Sequence, residues 1–333
     1  MIAEHVIDKT KRTETGEIIV TLFEFCDINC LFCNQDHNSV YGIDMIPDKI
    51  HQIKKAVEAL KLKGKTNFAV NIMGGEVFSD KLDDSVFDRY KELVELINKY
   101  AHDEDLEIKI SFTTNFIWTK EHRVKNFLNE TGVKLFTSYD PSGRFNTESL
   151  ELFDRNVRKF TYDVRAVNII MTKPNMEKFI KNQIPVFDYL YNHFEIYFDY
   201  YTPEANMNVL LPKDHELRDF MKYMHDNWPK CHPMKEFGSK LKKNMSCMDT
   251  YTIMPGGSFG RCTILVESIK PIAMFPSKKD LEQEWFDDYK CLECEHFARC
   301  SLGCFLSNHI KDARTQEECW LKEVYDYVDS KWN

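Results

Sequence analysis

The sequence predicts an α/β fold on a parallel sheet, followed by a smaller cysteine-rich region. Three observations carry this reading. Six short β-rich runs alternate with segments of helical period over the first 200 residues. Several of the runs are too continuously apolar to have a solvated face. Seven of the 11 cysteines fall after Ser246, among Gly, Pro and short segments. Alternating strands and helices imply right-handed βαβ crossovers and a parallel sheet, either open or a partial barrel.

The predicted strands are Glu17–Phe25, Asn67–Met73, Glu107–Phe112, Val133–Ser138, Asp163–Met171 and Phe194–Tyr200, each rich in Ile, Val, Phe, Tyr or Thr. After Pro47, Ile50, Ile53, Val57 and Leu60 recur on one helical face, and Phe87, Tyr90, Val94, Ile97 and Ala101 do the same in the next helix. Weaker helical patterns cover Lys120–Thr131 and Thr147–Phe160. A further helix spans Met176–Tyr191, with a kink expected at Pro185. Beyond Leu211 a helix over Lys213–Trp228 leads into a Lys-rich linker, and a last helix spans Gln316–Ser330. The expected divisions are a lead-in over 1–16, a strand–helix domain over 17–210, a bridge over 211–244 and a cysteine-rich domain over 245–333. Such a cysteine-rich region cannot build much core of its own, so metal is expected to supply its folding energy.

Composition excludes several classes. Apolar residues make up 43% and charged residues 29%, which is ordinary for a globular chain and excludes wholesale disorder. No apolar run approaches the ~20 residues that span a bilayer, so no membrane partner is expected. The segment Met1 to Arg12 lacks an apolar signal core, so the cytoplasm is the expected compartment. A net charge of −9 argues against a nucleic-acid partner gripped by its backbone. An odd cysteine count without a signal peptide points to metal or redox chemistry rather than disulfides.

Cys26, Cys30 and Cys33 form C-x3-C-x2-C directly after the first strand. Three thiolates in one short loop suit three irons of a cubane cluster and leave the fourth iron open. Zinc would want a fourth ligand, and none stands at zinc-ribbon spacing; His37 nearby is expected to be a surface residue. The triplet, with the aromatic Phe32 before its last cysteine, resembles the radical S-adenosylmethionine (AdoMet) superfamily. That resemblance implies a partial (β/α)6 barrel, a cluster that chelates AdoMet, and a 5′-deoxyadenosyl radical that abstracts a substrate hydrogen. It also implies that Phe32 lies against the cofactor. Gly74-Gly75-Glu76 ends the second strand and resembles the family's site for the AdoMet amine; glycines admit close approach, and a carboxylate can accept from an ammonium. Asn115 and Ser138, at the ends of strands three and four, match family contacts to AdoMet, although each could equally be a turn or cap residue. Asp140 is the candidate catalytic residue, and Asn168 is a weaker match. Arg144 is a candidate anion contact, with a solvated arginine the simpler reading. Asp199 and Glu204 are acids expected near the active face.

The C-terminal pattern, Cys247-x9-Gly257-x4-Cys262 followed by Cys291-x2-Cys294-x5-Cys300-x3-Cys304 and then Cys319, resembles the SPASM extension of radical AdoMet enzymes. The resemblance implies one auxiliary cluster on Cys247, Cys262 and Cys304, and a second on Cys291, Cys294, Cys300 and Cys319. Cys231 remains as the candidate fourth ligand of the first, giving three 4Fe-4S clusters in all. Auxiliary clusters imply oxidation or cross-linking of a substrate radical. The leading expectation is modification of a ribosomally made peptide. A small-molecule dehydrogenase, epimerase or isomerase acting on a sugar, amino acid or nucleotide is the alternative. Cys26 stands too close to the start for a preceding leader-recognition module, so a separate peptide-recognition protein, or a short leader, is expected. The electron would come from a flavodoxin or ferredoxin. Sulfatase-type maturases carry an acid just after the second SPASM cysteine; Thr263 follows Cys262 here, which argues against that activity.

Overall fold

A computed structural model describes residues 15–33, 35–201, 208–237, 250–260, 283, 285–297, 299–300 and 319–332. Eight strands form one sheet: β1 (Thr15–Thr21), β2 (Asn67–Met73), β3 (Glu107–Thr114), β4 (Lys134–Ser138), β5 (Val164–Met171), β6 (Glu195–Tyr200), β7 (Thr250–Ile253) and β8 (Phe259–Gly260). Their spatial order is β6-β5-β4-β3-β2-β1-β7-β8. Every pairing is parallel except β7 with β8. The partial barrel is therefore the form taken, and its wall is longer than six strands. β7 lies beside β1 in parallel register, from Glu17 opposite Thr250 to Val20 opposite Ile253. Four residues are too few to show a period, so the sequence pattern does not announce that strand.

Helices α1 (Lys49–Lys61), α2 (Asp84–Asp103), α3 (Glu121–Thr131) and α4 (Thr147–Lys159) follow the first four strands. The expected apolar stripe is the one that is buried. Ile50, Ile53, Val57 and Leu60 of α1 pack into a core that also holds Ile18 and Val20 of β1. On β1 the inward and outward residues alternate, which leaves Glu17 and Ile19 facing the lumen. Asp199 of β6 feels the charge of Glu17, although β6 lies five places from β1 in the sheet. Only a curled sheet brings those two strands together.

The single helix expected over Met176–Tyr191 is instead two, α5 (Lys173–Ile180) and α6 (Phe187–His193). Asn182 and Val186 take left-handed backbone angles between them. Pro185 cannot donate a helical hydrogen bond, so the chain turns rather than kinks. The carbonyl of Pro185 accepts from the Tyr139 hydroxyl, which ties the break to β4. Downstream, α7 (Asp214–Asn227), α8 (Met234–Phe237) and the last helix α9 (Trp320–Trp332) pack together. Arg218 of α7 pairs with Glu323 of α9 at 3.1 Å. Among the described residues, no helix is long and apolar enough to cross a membrane.

Candidate active site

The cysteine triplet lies in the loop that leaves the carboxyl end of β1, the end where a parallel barrel builds its sites. The loop is folded by its own backbone. Cys26 N–H donates to the His37 carbonyl at 3.1 Å, and Cys33 N–H donates to the Cys30 carbonyl at 3.1 Å. His37 is half-buried rather than a surface residue, and its Nδ1 donates to the Ile28 carbonyl at 2.6 Å. The Leu31 N–H reaches across to the Gly143 carbonyl at 3.3 Å.

The donor set fits an iron–sulfur cluster better than a single ion. The loop brings three thiols, whereas a structural zinc takes four ligands, and no fourth stands at zinc-ribbon spacing. Burial pushes the Cys26 thiol up to about 12 and raises Cys30 as well. Thiolates at such positions need a bound cation.

Gly74-Gly75-Glu76 sits directly beside this loop. Gly75 N–H donates to the Phe23 carbonyl at 2.9 Å, and Glu76 N–H donates to the Phe25 carbonyl at 2.8 Å. Gln35, just past the triplet, donates from Nε2 to the Gly74 carbonyl at 3.2 Å. A Cβ on Gly75 would stand 2.1 Å from the Phe25 carbonyl oxygen, so only glycine fits. Glu76 itself is turned inward and is 0% exposed. Its Oε1 accepts from Thr114 Oγ1 at 2.6 Å and from Phe78 N–H at 2.9 Å, and its Oε2 accepts from Asn115 N–H at 2.6 Å. The carboxylate thus fastens the end of β2 to the end of β3. Burial pushes it up to about 7 against those three donors.

Asn115 is buried at the end of β3. Its Oδ1 accepts from Ile117 N–H at 2.7 Å, while its Nδ2 is buried without a partner among the described residues. An unpaired buried amide beside the glycine turn is what a missing ligand would leave behind. Phe32 is half-buried, packed against the turn at Gly143 and 5.8 Å from the Arg144 guanidinium. Ser138, at the end of β4, pairs in register with Asn168 on β5.

Asp140, expected as the catalytic residue, has another task. It is 0% exposed, and both its oxygens are occupied. Oδ2 accepts from Arg144 Nε at 3.1 Å, while Oδ1 accepts from Ile170 N–H at 3.0 Å and from Asn175 Nδ2 at 3.1 Å. Arg144 is correspondingly not solvated; its side chain is 11% exposed. Sequence reasoning missed Asn175, and also Asn156, whose Nδ2 holds the carbonyls of Phe116 and Trp118. An Asp and an Arg four apart after a strand signals the Asp140–Arg144 pair.

The lumen holds a cavity of about 680 Å³, lined in part by Glu17, Asn71, Ser111, Asn168, Tyr197 and Asp199. Asp199 is accessible from this cavity yet surrounded by protein. Burial, with Glu17 and Asp140 adding repulsion, pushes it up to about 6.

In the C-terminal region Cys291, Cys294, Cys300 and Cys319 all line one small cavity, with Trp285, Tyr289 and His296 around them. Burial raises the Cys291 thiol most, and the other three cysteines add to it. Cys247, Cys262 and Cys304 lie outside the described residues, as do Thr263 and Glu204. Cys231 is 0% exposed in the apolar core, and burial alone pushes its thiol up to about 12. The residues expected to share a cluster with it, Cys247, Cys262 and Cys304, lie outside the described residues.

Two solved structures align along nearly the whole chain. Histidine-tagged anSMEcpe with bound AdoMet matches at 16% identity and a TM-score of 0.66, covering 95% of this chain and 97% of that one. The chains share a fold. Native anSMEcpe with bound AdoMet gives the same identity and coverage at a TM-score of 0.61. Coproporphyrinogen III oxidase (HemN) from Escherichia coli, described as a radical SAM enzyme, aligns over 75% of this chain and 65% of that one at 0.39, too loosely to bear on the fold. No family model and no curated protein matches the chain. The likeness to anSMEcpe is one of backbone, and this chain's chemistry has to be read from its own residues.

Proposed function

We propose that this chain is a radical AdoMet enzyme that modifies a ribosomally synthesised peptide. The observation that carries the reading is the loop of the cysteine triplet, whose flanking residues Phe23, Phe25 and Gln35 hydrogen-bond to the Gly-Gly-Glu turn, at the carboxyl end of a barrel whose fold is shared with AdoMet-bound anSMEcpe. Cys26, Cys30 and Cys33 would hold a 4Fe-4S cluster. Once bound, cluster and AdoMet supply a one-electron cleavage that yields a 5′-deoxyadenosyl radical able to take a hydrogen atom from the substrate. The chain's own residues bind and orient. Gly75 lets the backbone of Glu24 and Phe25 close on the turn, and Asn115 offers the amide that has no partner among the described residues as a donor. Phe32 shields the loop, Ser138 offers a hydroxyl at the end of β4, and the apolar wall behind the lumen keeps the radical's surroundings fixed.

Cys291, Cys294, Cys300 and Cys319 would hold an auxiliary cluster in the cavity that they line, and Cys247, Cys262 and Cys304 another, as in a SPASM domain. An external flavodoxin or ferredoxin would deliver the electron, and a separate protein would present the peptide. A second reading is oxidation or isomerisation of a small molecule: the lumen cavity of about 680 Å³ is of small-ligand size, and it is lined by the strands rather than by the triplet or the Gly-Gly-Glu turn.

Anaerobic reconstitution tests the central claim. Roughly twelve irons per chain are expected from three 4Fe-4S clusters, with release of 5′-deoxyadenosine from AdoMet under a strong reductant. Replacing Cys26, Cys30 and Cys33 together by Ala should remove about a third of that iron and all of the cleavage. Stoichiometric zinc and a colourless protein would overturn the reading.

A further inference from the structure

We infer that Arg144, held in place by Asp140, is a positioning residue for the cysteine triplet: a fixed cation that orders the loop before iron arrives and raises the reduction potential of the cluster it receives. The second half of this inference rests on the triplet being a cluster site; the first half does not.

The anchoring is visible in the hydrogen bonds. Asp140 receives Arg144 on one oxygen and β5 with Asn175 on the other. Asn175 returns the grip. Its Oδ1 accepts from the Ser142 N–H at 3.1 Å, and its Nδ2 also donates to the Ile170 carbonyl at 2.9 Å. The turn from Asp140 to Arg144 is therefore pinned at both ends and in its middle. A buried ion pair holds its geometry only when its remaining lone pairs are used, and here they are.

That rigid turn is docked on the triplet loop. Gly143 accepts from Leu31 N–H at 3.3 Å, and a Cβ at Gly143 would come within 3.2 Å of the Phe32 ring. The guanidinium lies 5.8 Å from the centre of the same ring. Leu31 and Phe32 are the two residues between Cys30 and Cys33, so the turn fixes the spacing of those thiols.

The cation is also close to the thiols. Arg144 follows Gly143, whose carbonyl takes the Leu31 amide, and its guanidinium lies 5.8 Å from the centre of the Phe32 ring, between Cys30 and Cys33 in the chain. A one-electron reduction adds negative charge at the triplet, and a fixed cation in low dielectric favours the reduced form.

Two variants and two measurements test this. In iron-free protein, hydrogen exchange at the Leu31 and Cys33 amides reads the loop directly. In holoprotein without AdoMet, an electron-paramagnetic-resonance redox titration reads the potential. Arg144→Gln should expose both amides to faster exchange and lower the ratio of reduced to oxidised cluster about tenfold at a fixed ambient potential, ~59 mV for one electron. Arg144→Lys keeps the charge without the fork, so it should restore most of the potential and little of the protection. Unchanged protection in iron-free Arg144→Gln overturns the ordering role, whatever the metal content. Unchanged potential with full iron overturns the electrostatic role. A wild-type triplet that takes up no iron would sink the cluster reading and leave the exchange result standing.

Discussion

Glu76 makes the sharpest test of the site's electrostatics. Its carboxyl is fully buried among three donors, and burial still wins, carrying it from 4.5 to about 7. The sign follows from proton counting. Between pH ~4.5 and ~7 the unfolded chain has released this proton while the folded one keeps it, so stability falls as pH rises through that window. For a single group with those two values, the loss between pH 5.5 and pH 8 is about 2 kcal/mol. Glu76→Gln removes the titration while keeping the shape, although its amide must face the Asn115 N–H and costs ~1–3 kcal/mol at all pH. The assay is urea unfolding at the two pH values, followed through Trp118. That indole is buried and donates to Thr114 Oγ1 at 3.0 Å, inside the same network. Other groups that titrate in this range, Asp199 among them, cancel when the variant's pH profile is subtracted from the wild type's. The difference between the two profiles should amount to about 2 kcal/mol, with the wild type losing more toward high pH. Parallel profiles would show that Glu76 titrates as an ordinary carboxylate, and the inward placement would be wrong.

Two further outcomes are expected. Gly75→Ala drives a methyl into the Phe25 and Glu24 carbonyls, so it should cost about 3 kcal/mol and abolish AdoMet binding in calorimetry even where the fold survives. Cys231→Ala should cost about 1 kcal/mol for a lost core sulfur and leave the iron content unchanged; loss of iron from this variant would make Cys231 a ligand after all.

The barrel was legible because its signals are local. Each of β1 to β6 announces itself by composition, and α1 and α2 by a three-and-four spacing that the core then buries. The triplet and the Gly-Gly-Glu turn were legible for the same reason, since short spacing alone places their residues together. What the sequence could not show was the direction of a carboxylate. Glu76 turns inward because Thr114 and Asn115, 38 and 39 residues away, offer it donors at the end of a neighbouring strand. The break between α5 and α6 was half legible: Pro185 marks the place, but the left-handed turn at Asn182 and Val186 depends on packing against β4.

The same reasoning reorders the acids of the site. A carboxylate whose lone pairs are already filled cannot take a proton from a substrate without giving up a hydrogen bond, and proton transfer needs a group within reach of the reacting atom. Asp140 fails on both counts, since two oxygens serve Arg144, Ile170 and Asn175 in a fully buried position. Glu76 fails in the same way. Asp199 differs from both: it opens onto the lumen cavity, which Glu17 also lines, and burial with repulsion from Glu17 and Asp140 raises its carboxyl to about 6. In this barrel the two acids nearest the cysteine motifs, Glu76 and Asp140, hold the walls in place.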